Sequence, residues 1–402
     1  MSLLKYANVA LFTAVASYCS LIGLMSLETV QRHLIFLHKI KPESKEALYQ
    51  PESVGFAQNQ VAPFWIEMSD GARLLAWHIL PIGVYCKNKY TLRTITRTDE
   101  TIESGAIANY HTQLLKNDTD AKVIIYFHGN SGGISSAHRP DVYRSLLSTS
   151  PEHTHLFIVD YRGFGISTGS PTETSLIEDA VASIKIIMET RSLAPENIAL
   201  VGQSLGTGVV IGASELFSRE GIEFRAVVPI AGFASVEELL ETYRILGIFP
   251  VLSPFKRSRM FQNRLKTFLK YPFHSDDRMT KLIQQTTRSN ILIIHSFADE
   301  LIPFEHSNKL MSAALRGAYL QADSNTDHLS KFLAMEKKER QDVFDILEIG
   351  QQHARQYTFF QAIPLTHQKR KISHLALAWG GHNFVPKSVD CVLALRDLLY
   401  SG

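Results

Sequence analysis

The sequence predicts an α/β fold: a mainly parallel eight-stranded sheet with helices on both faces, a helical cap and an N-terminal membrane anchor helix. Three observations predict it. Short apolar runs alternate with amphipathic stretches along most of the chain. The later runs are continuously apolar rather than alternating, as expected of strands covered on both faces. One run leads into Gly202-Gln203-Ser204-Leu205-Gly206 and then directly into a helical stretch, so the chain turns sharply at a serine.

The bulk properties suit one large domain with insertions. The chain has 402 residues, 45% of them hydrophobic, and a formal net charge of +2. A chain of this length buries a sizeable core. The near-balanced charge argues against nucleic acid as a partner. The three cysteines, Cys19, Cys86 and Cys391, are widely spaced. They form neither a disulfide framework nor a zinc spacing, although one bridge is open to them. Nothing in the pattern calls for a cofactor, a metal or an obligate protein partner.

Tyr6 to Leu27 runs for 22 residues without a charge, between Lys5 and Glu28. A spanning helix needs about 20 mostly apolar residues. Asn8, Thr13, Ser17, Ser20 and Ser26 dilute the stretch. A competing reading is a cleaved signal with Ala14-Val15-Ala16 at the cut. Arg32, Lys39, Lys41 and Lys45 would place the following side in the cytosol. The sequon Asn117-Asp118-Thr119 points the other way, because it is used only in a lumen. The divisions expected are an anchor at 1–30, a linker at 31–61 and the folded domain at 62–402.

Within that domain, Phe64–Met68 and Leu74–Leu80 flank the Ser69-Asp70-Gly71 turn and read as a hairpin. Later strands are expected at Val123–Phe127, Leu156–Asp160, Ile198–Val201, Ala226–Ile230, Ile291–His295 and Leu375–Trp379. Helical patterns cover Thr174–Arg191 and Leu205–Phe217. Three segments exceed a minimal sheet. Gly83–Asp120 is a polar, Thr-rich insertion. The 233–287 stretch is partly helical and is the expected cap. The 322–371 stretch interrupts the run between the last two strands.

The serine motif carries chemistry only in its strand-to-helix setting. An elbow strains the serine backbone and needs small residues two before and two after it. Gly202 and Gly206 meet that need, which makes Ser204 the candidate nucleophile. Serine needs a base, and the base needs an orienting acid. The acid is expected after a later strand. In ILIIHSFADELIPFEH (Ile291 to His306) Asp299 lies just beyond the apolar run, with Glu300 and Glu305 as rivals. The base is expected after the last strand. His382, in LALAWGGHNF (Leu375 to Phe384), follows that strand in a glycine-hinged loop. His306 follows the acid too closely, His374 begins the strand, and His328, His353 and His367 lie in the insertion. An oxyanion needs two N–H donors. Leu205 N–H is one. The VIIYFHGNSGG loop (Val123 to Gly133) offers Asn130 N–H as the other, with Gly129 permitting close approach and His128 structuring the loop. Gly132 and Gly133 lack the Lys and Ser/Thr of a phosphate-binding loop.

Taken together, FHGNSGG, DYRGFGISTGSPTE (Asp160 to Glu173), GQSLGTG and HSFADELIPFEH resemble the α/β-hydrolase superfamily. More closely, they resemble the membrane-anchored monoacylglycerol and lysophosphatidylserine lipase group of α/β-hydrolase-domain proteins, fungal members in particular. The resemblance runs from about Trp65 to Asp397, apart from the insertions. It implies an α/β-hydrolase fold, a single N-terminal anchor, and a catalytic domain in the lumen of the endoplasmic reticulum. It puts Ser204, Asp299 and His382 on the triad positions. The 322–371 insertion departs from the group's pattern by lengthening the gap between acid and base.

The expected activity is cleavage of a lipid ester, either monoacylglycerol or lysophospholipid, beside a bilayer. Leu239–Phe273 carries Phe249, Phe255, Phe261, Phe268 and Phe273 with a basic fringe of Lys256, Arg257, Arg259, Arg264, Lys266 and Lys270. That mixture suits an acyl chain under a charged head group. It equally suits an amphipathic helix packed on the sheet. A thioesterase, depalmitoylase or other acyl hydrolase shares the same chemistry. A catalytically inactive binding protein would usually have lost one member of the set.

Overall fold

A computed structural model describes residues 26–40, 43–136, 138–242, 267–322 and 370–400. It also describes 244–245, 249–250, 344–349, 357–364 and isolated positions 6, 12, 13, 20, 23 and 24. Most of the expected anchor, Tyr6–Leu27, lies outside these residues. Among the described residues no helix is long and apolar enough to cross a membrane.

The first strands, β1 (Val61–Glu67) and β2 (Arg73–Ile79), form the expected antiparallel hairpin. Then come β3 (Lys122–Phe127), β4 (Thr154–Val159), β5 (Ile198–Gln203) and β6 (Ala226–Ile230). A two-stranded ribbon, β7 (Arg244–Ile245) and β8 (Phe249–Pro250), stands apart. The main sheet continues with β9 (Asn290–Ser296), β10 (Phe344–Ile349), β11 (Tyr357–Pro364) and β12 (Ile372–Leu377).

The sheet order is β1-β2-β4-β3-β5-β6-β9-β12-β11-β10. From β4 through β12 every neighbour is parallel. The eight expected strands are therefore present, and the sheet runs on to ten. The difference comes from 344–349 and 357–364, inside the expected insertion, which add an antiparallel pair to the β12 edge. The last expected strand also shifts. It begins at Ile372, where Ile372 pairs with Ile291, so His374 is mid-strand and Trp379 is beyond the end, 69% exposed.

The longer helices are α1 (Glu28–Phe36), α2 (Ile82–Thr94), α3 (Ala106–Lys116), α4 (Arg139–Leu147), α5 (Glu173–Arg191) and α6 (Leu205–Arg219). After these come α7 (Ser275–Gln285), α8 (Glu305–Ala322) and α9 (Val389–Tyr400). Strand side chains alternate between two cores. Val123, Ile125 and Phe127 meet residues of α5, α6 and α7 on one face. Ile124 and Tyr126 meet α4 and α9 on the other.

Gly83–Asp120 is largely helical. In α3, Ile107, Ala108, His111, Thr112 and Leu115 form one buried face at helical spacing. The described residues of the 31–61 stretch, expected as a linker, pack on the domain. Phe36, Leu48 and Phe56 are core residues. In the expected cap, residues 251–266 lie outside the described residues, and with them Phe255, Phe261, Lys256, Arg257, Arg259, Arg264 and Lys266. Phe273 is a core residue rather than part of a ligand-facing stripe. It is fully buried, and a Cβ on Gly208 would meet its ring at 2.6 Å.

Candidate active site

The elbow follows from packing around Ser204. Its φ is 54° and its ψ is −118°, an unusual backbone for a residue with a side chain. The strain persists because the surroundings leave no alternative. A Cβ at Gly202 would lie 2.2 Å from Gly206 O, and one at Gly206 would lie 2.0 Å from Phe127 O. Strand, helix and the β3 end meet too closely for any side chain. Ser204 N–H donates to Ile230 O at 3.0 Å, which pins the turn to β6.

The expected acid and base come together. His382 Nδ1 lies 2.7 Å from Asp299 Oδ2. Asp299 follows β9 and His382 follows β12, and these strands are parallel neighbours. The other carboxylate oxygen accepts N–H bonds from Leu301 and Ile302, each at 2.9 Å. His295 Nε2 stands 3.3 Å from Oδ2. Burial disfavours the charged carboxylate, but the bonds from His295 and His382 outweigh it and hold the Asp299 carboxyl below its ordinary range. A carboxylate can only accept, so Nδ1 carries the proton and Nε2 presents a lone pair.

Ser204 and His382 line one cleft of about 210 Å³, together with Gly129, Asn130, Arg139 and Leu301. A Cβ at Gly129 would sit 3.2 Å from Ser204 Cβ, so this glycine lets the loop approach the serine. In that loop Ser131 N–H donates to Phe36 O at 3.1 Å and Gly132 N–H to Ile40 O at 3.2 Å. The N–H groups of Asn130 and Leu205 have no acceptor among the described residues.

The rivals hold other positions. Glu300 Oε2 accepts the His382 backbone N–H at 3.2 Å rather than its ring. Glu305 opens α8. His306 accepts Ala234 N–H at 3.3 Å, and His374 meets Ser307 Oγ at 3.1 Å. Burial pushes both of these histidines down to about 4. His328, His353 and His367 lie outside the described residues. His128 structures its loop: Nδ1–H donates to Gly129 O at 2.7 Å.

Supporting residues without a sequence signal appear behind this set. Gln203 Nε2 donates to His382 O at 3.3 Å, and Tyr126 OH donates to Gln203 Oε1 at 2.6 Å. The buried Arg139 donates to Gly129 O at 2.8 Å, Asn130 O at 3.1 Å and Ser131 O at 2.7 Å, and also to Gly133 O. Burial and Arg139 keep His128 neutral, far below its usual range. Its Nε2 is then an acceptor, and Asp160 Oδ1, 3.0 Å away, must supply a proton. Burial pushes Asp160 up to about 7, which fits that role. Glu43 beside it is pushed up to about 7 by burial and by the Asp160 charge. Asp160 was legible as the end of an expected strand, whereas Arg139 and Glu43 carried no local signal in the sequence.

The chain is similar to several known proteins. Residues 122–246 match the alpha/beta hydrolase fold family. The chain is 28% identical to human protein ABHD12B over 256 residues, covering 64% of this chain and 62% of that protein. It is 24% identical to the Danio rerio lysophosphatidylserine lipase ABHD12 over 295 residues, covering 73% and 68%. An uncharacterized protein of Escherichia coli K12, YfhR, is 29% identical over 216 residues, covering 54% and 66%. The alignments thus span roughly two thirds of these relatives' own lengths. An alpha-beta hydrolase structure from Vibrio vulnificus shares the fold, with a TM-score of 0.50 and 13% identity, covering 71% of this chain and 81% of that one.

Proposed function

We propose that this chain, which carries an α/β-hydrolase domain related at modest identity to ABHD12 and ABHD12B, is a serine hydrolase that cleaves a lipid carboxylic ester. One observation carries the reading. The His382 ring is held at Nδ1 by a fully buried carboxylate and shares a cleft with a serine on a strained elbow.

In the mechanism, His382 Nε2 takes the Ser204 proton as Oγ attacks the ester carbonyl. Asp299 keeps the imidazole in the productive tautomer and stabilises its charge. The tetrahedral oxygen accepts bonds from Asn130 N–H and Leu205 N–H. His382 then protonates the departing alcohol. Water, deprotonated by the same nitrogen, releases the acyl group.

The substrate class is a monoacylglycerol or lysophospholipid. Kinship to lysophosphatidylserine lipases of Danio rerio and Mus musculus supports it. So does the uncharged Tyr6–Leu27 stretch, which we assign to a single-pass anchor at the endoplasmic reticulum with the hydrolase domain in the lumen. Asn117 of the sequon is exposed at the end of α3, where a glycan has room. A cleft of about 210 Å³ accommodates the reacting ester, and the acyl chain must extend beyond it.

A fluorophosphonate probe tests the nucleophile. Wild type should label and Ser204→Ala should not; equal labelling removes the assignment. Lipid profiles of membranes carrying wild type or Ser204→Ala test the substrate. Unchanged monoacylglycerols and lysophospholipids would exclude it.

A further inference from the structure

Helix α1 follows directly on the apolar N-terminal stretch and bonds in two directions. Its C-terminal end and the turn after it hold the β3 loop. The Asn130 side-chain amide donates to Ile35 O at 3.1 Å, Ser131 N–H to Phe36 O at 3.1 Å, and Gly132 N–H to Ile40 O at 3.2 Å. Ser131 has φ 62°, a conformation that a residue with a side chain keeps only when it is held. In the other direction, Gln31 grips the segment before α7. Its Nε2 donates to Phe268 O at 2.8 Å, and its Oε1 accepts Lys270 N–H at 2.8 Å. Gln31 is only 7% exposed. Arg32 Nε donates to Tyr271 OH at 3.3 Å, and that hydroxyl donates to Glu28 Oε1 at 3.0 Å.

Past the turn, Glu43 Oε1 accepts Ser136 OH at 2.6 Å. A Cβ at Gly133 would meet Glu43 Oε2 at 2.1 Å and Asp160 Oδ2 at 2.5 Å. The two carboxyls therefore flank the loop backbone itself. Among the described residues, neither 28–40 nor Glu43 lines the cleft, so they act on it through the loop.

We propose that residues 28–40, with Glu43, form a positioning strap, which ties the candidate oxyanion loop to segment 268–271 and aims the Asn130 N–H at the reacting carbonyl. The N–H groups of residues 131 and 132 are occupied by the strap, whereas the Asn130 N–H has no acceptor among the described residues and is free to meet an oxyanion. A packed helix moves as a unit, so a shift at its Gln31 face displaces the carbonyls that hold the loop. Whatever restrains the chain before Glu28, a bilayer included, then acts on the oxyanion donor. The strap rests on the hydrolase reading of Ser204.

The test uses the full chain in detergent with p-nitrophenyl butyrate as probe. Gln31→Ala removes both bonds to 268–270. It should lower kcat about tenfold, with KM within about twofold and Tm within a few degrees, as small misplacements of catalytic groups do. Tyr271→Phe, which removes one hydroxyl, should lower kcat about twofold to threefold. Leu34→Ala, at an exposed position of the same helix, should leave kcat unchanged. A Gln31→Ala protein with lower Tm but wild-type kcat overturns the proposal. If Gln31→Ala does not fold, a wild-type kcat in Tyr271→Phe overturns it instead. Wild-type kcat in the strap variants beside an inactive Ser204→Ala sinks the strap alone, whereas a Ser204→Ala enzyme as active as wild type sinks the hydrolase reading and the strap with it.

Discussion

On one side of the cleft, Asp299 and His382 hang from the ends of adjacent parallel strands, with Leu377 of β12 paired to Ser296 of β9. On the other side, Asn130 lies in a loop held by carbonyls of Ile35, Phe36 and Ile40 from the start of the chain. The first arrangement inherits its geometry from sheet register, because neighbouring strands lie about 4.8 Å apart wherever they pair. The second depends on a helix that belongs to no sheet crossover. Their electrostatics differ in sign as well. Asp299 is held charged by two histidines, while burial favours the neutral forms of Asp160 and Glu43. The acid–base side is thus built into the fold, and the oxyanion side is fastened to it from outside.

The largest effect that would break this comparison is on the acid–base side. Asp299→Asn should lower kcat about 10³- to 10⁴-fold, because the amide favours the wrong imidazole tautomer. Steady-state ester hydrolysis checks it, and near-normal activity would move the acid elsewhere. On the oxyanion side, Arg139→Lys should lower kcat about 10- to 100-fold, since an ammonium cannot reproduce a planar fork spread over four carbonyls. The same assay, with KM as the internal control, distinguishes misplaced donors from weakened binding.

Stability against pH sharpens the contrast. Glu43 and Asp160 rise from ordinary values of 4.5 and 3.8 to about 7. Groups raised by folding contribute stability that is full below the ordinary values and is lost as pH rises through about 7. The groups facing the pair are Arg139, His128, Ser135 and Ser136. Thermal unfolding from pH 5 to pH 9 should therefore show a falling Tm that Glu43→Gln flattens. Asp299 works in reverse: its contribution is present above 3.8 and is lost only in strong acid. The smallest effect belongs to Glu300→Gln. It keeps an oxygen for the His382 N–H, so kcat should stay within about threefold. A loss approaching that of Asp299→Asn would exchange the two roles.

Several features were legible along the chain because their causes are local. The continuous apolar runs became the central strands, and the Ser69-Asp70-Gly71 turn became the β1–β2 connection. The end of β12 was read two residues late, because Ala378 and Trp379 extend the apolar run past the last paired position. The β10–β11 pair escaped notice in a stretch expected as an insertion, although Phe344–Ile349 and Tyr357–Pro364 have strand-like composition.

The sequence by itself determined the elbow around Ser204, the strand-to-helix order, and the loops that carry Asp299 and His382. Small residues beside a serine, and polar residues just past an apolar run, are consequences of neighbours in the chain. Tertiary structure decided how Arg139, Asp160 and Glu43 surround the oxyanion loop and how α1 fastens it. Gln31 and Phe268 are 237 positions apart, and Asn130 and Ile35 are 95 apart. No local spacing encodes such contacts; they form only once the fold has brought residues 31–36 against segment 268–271 and the β3 loop.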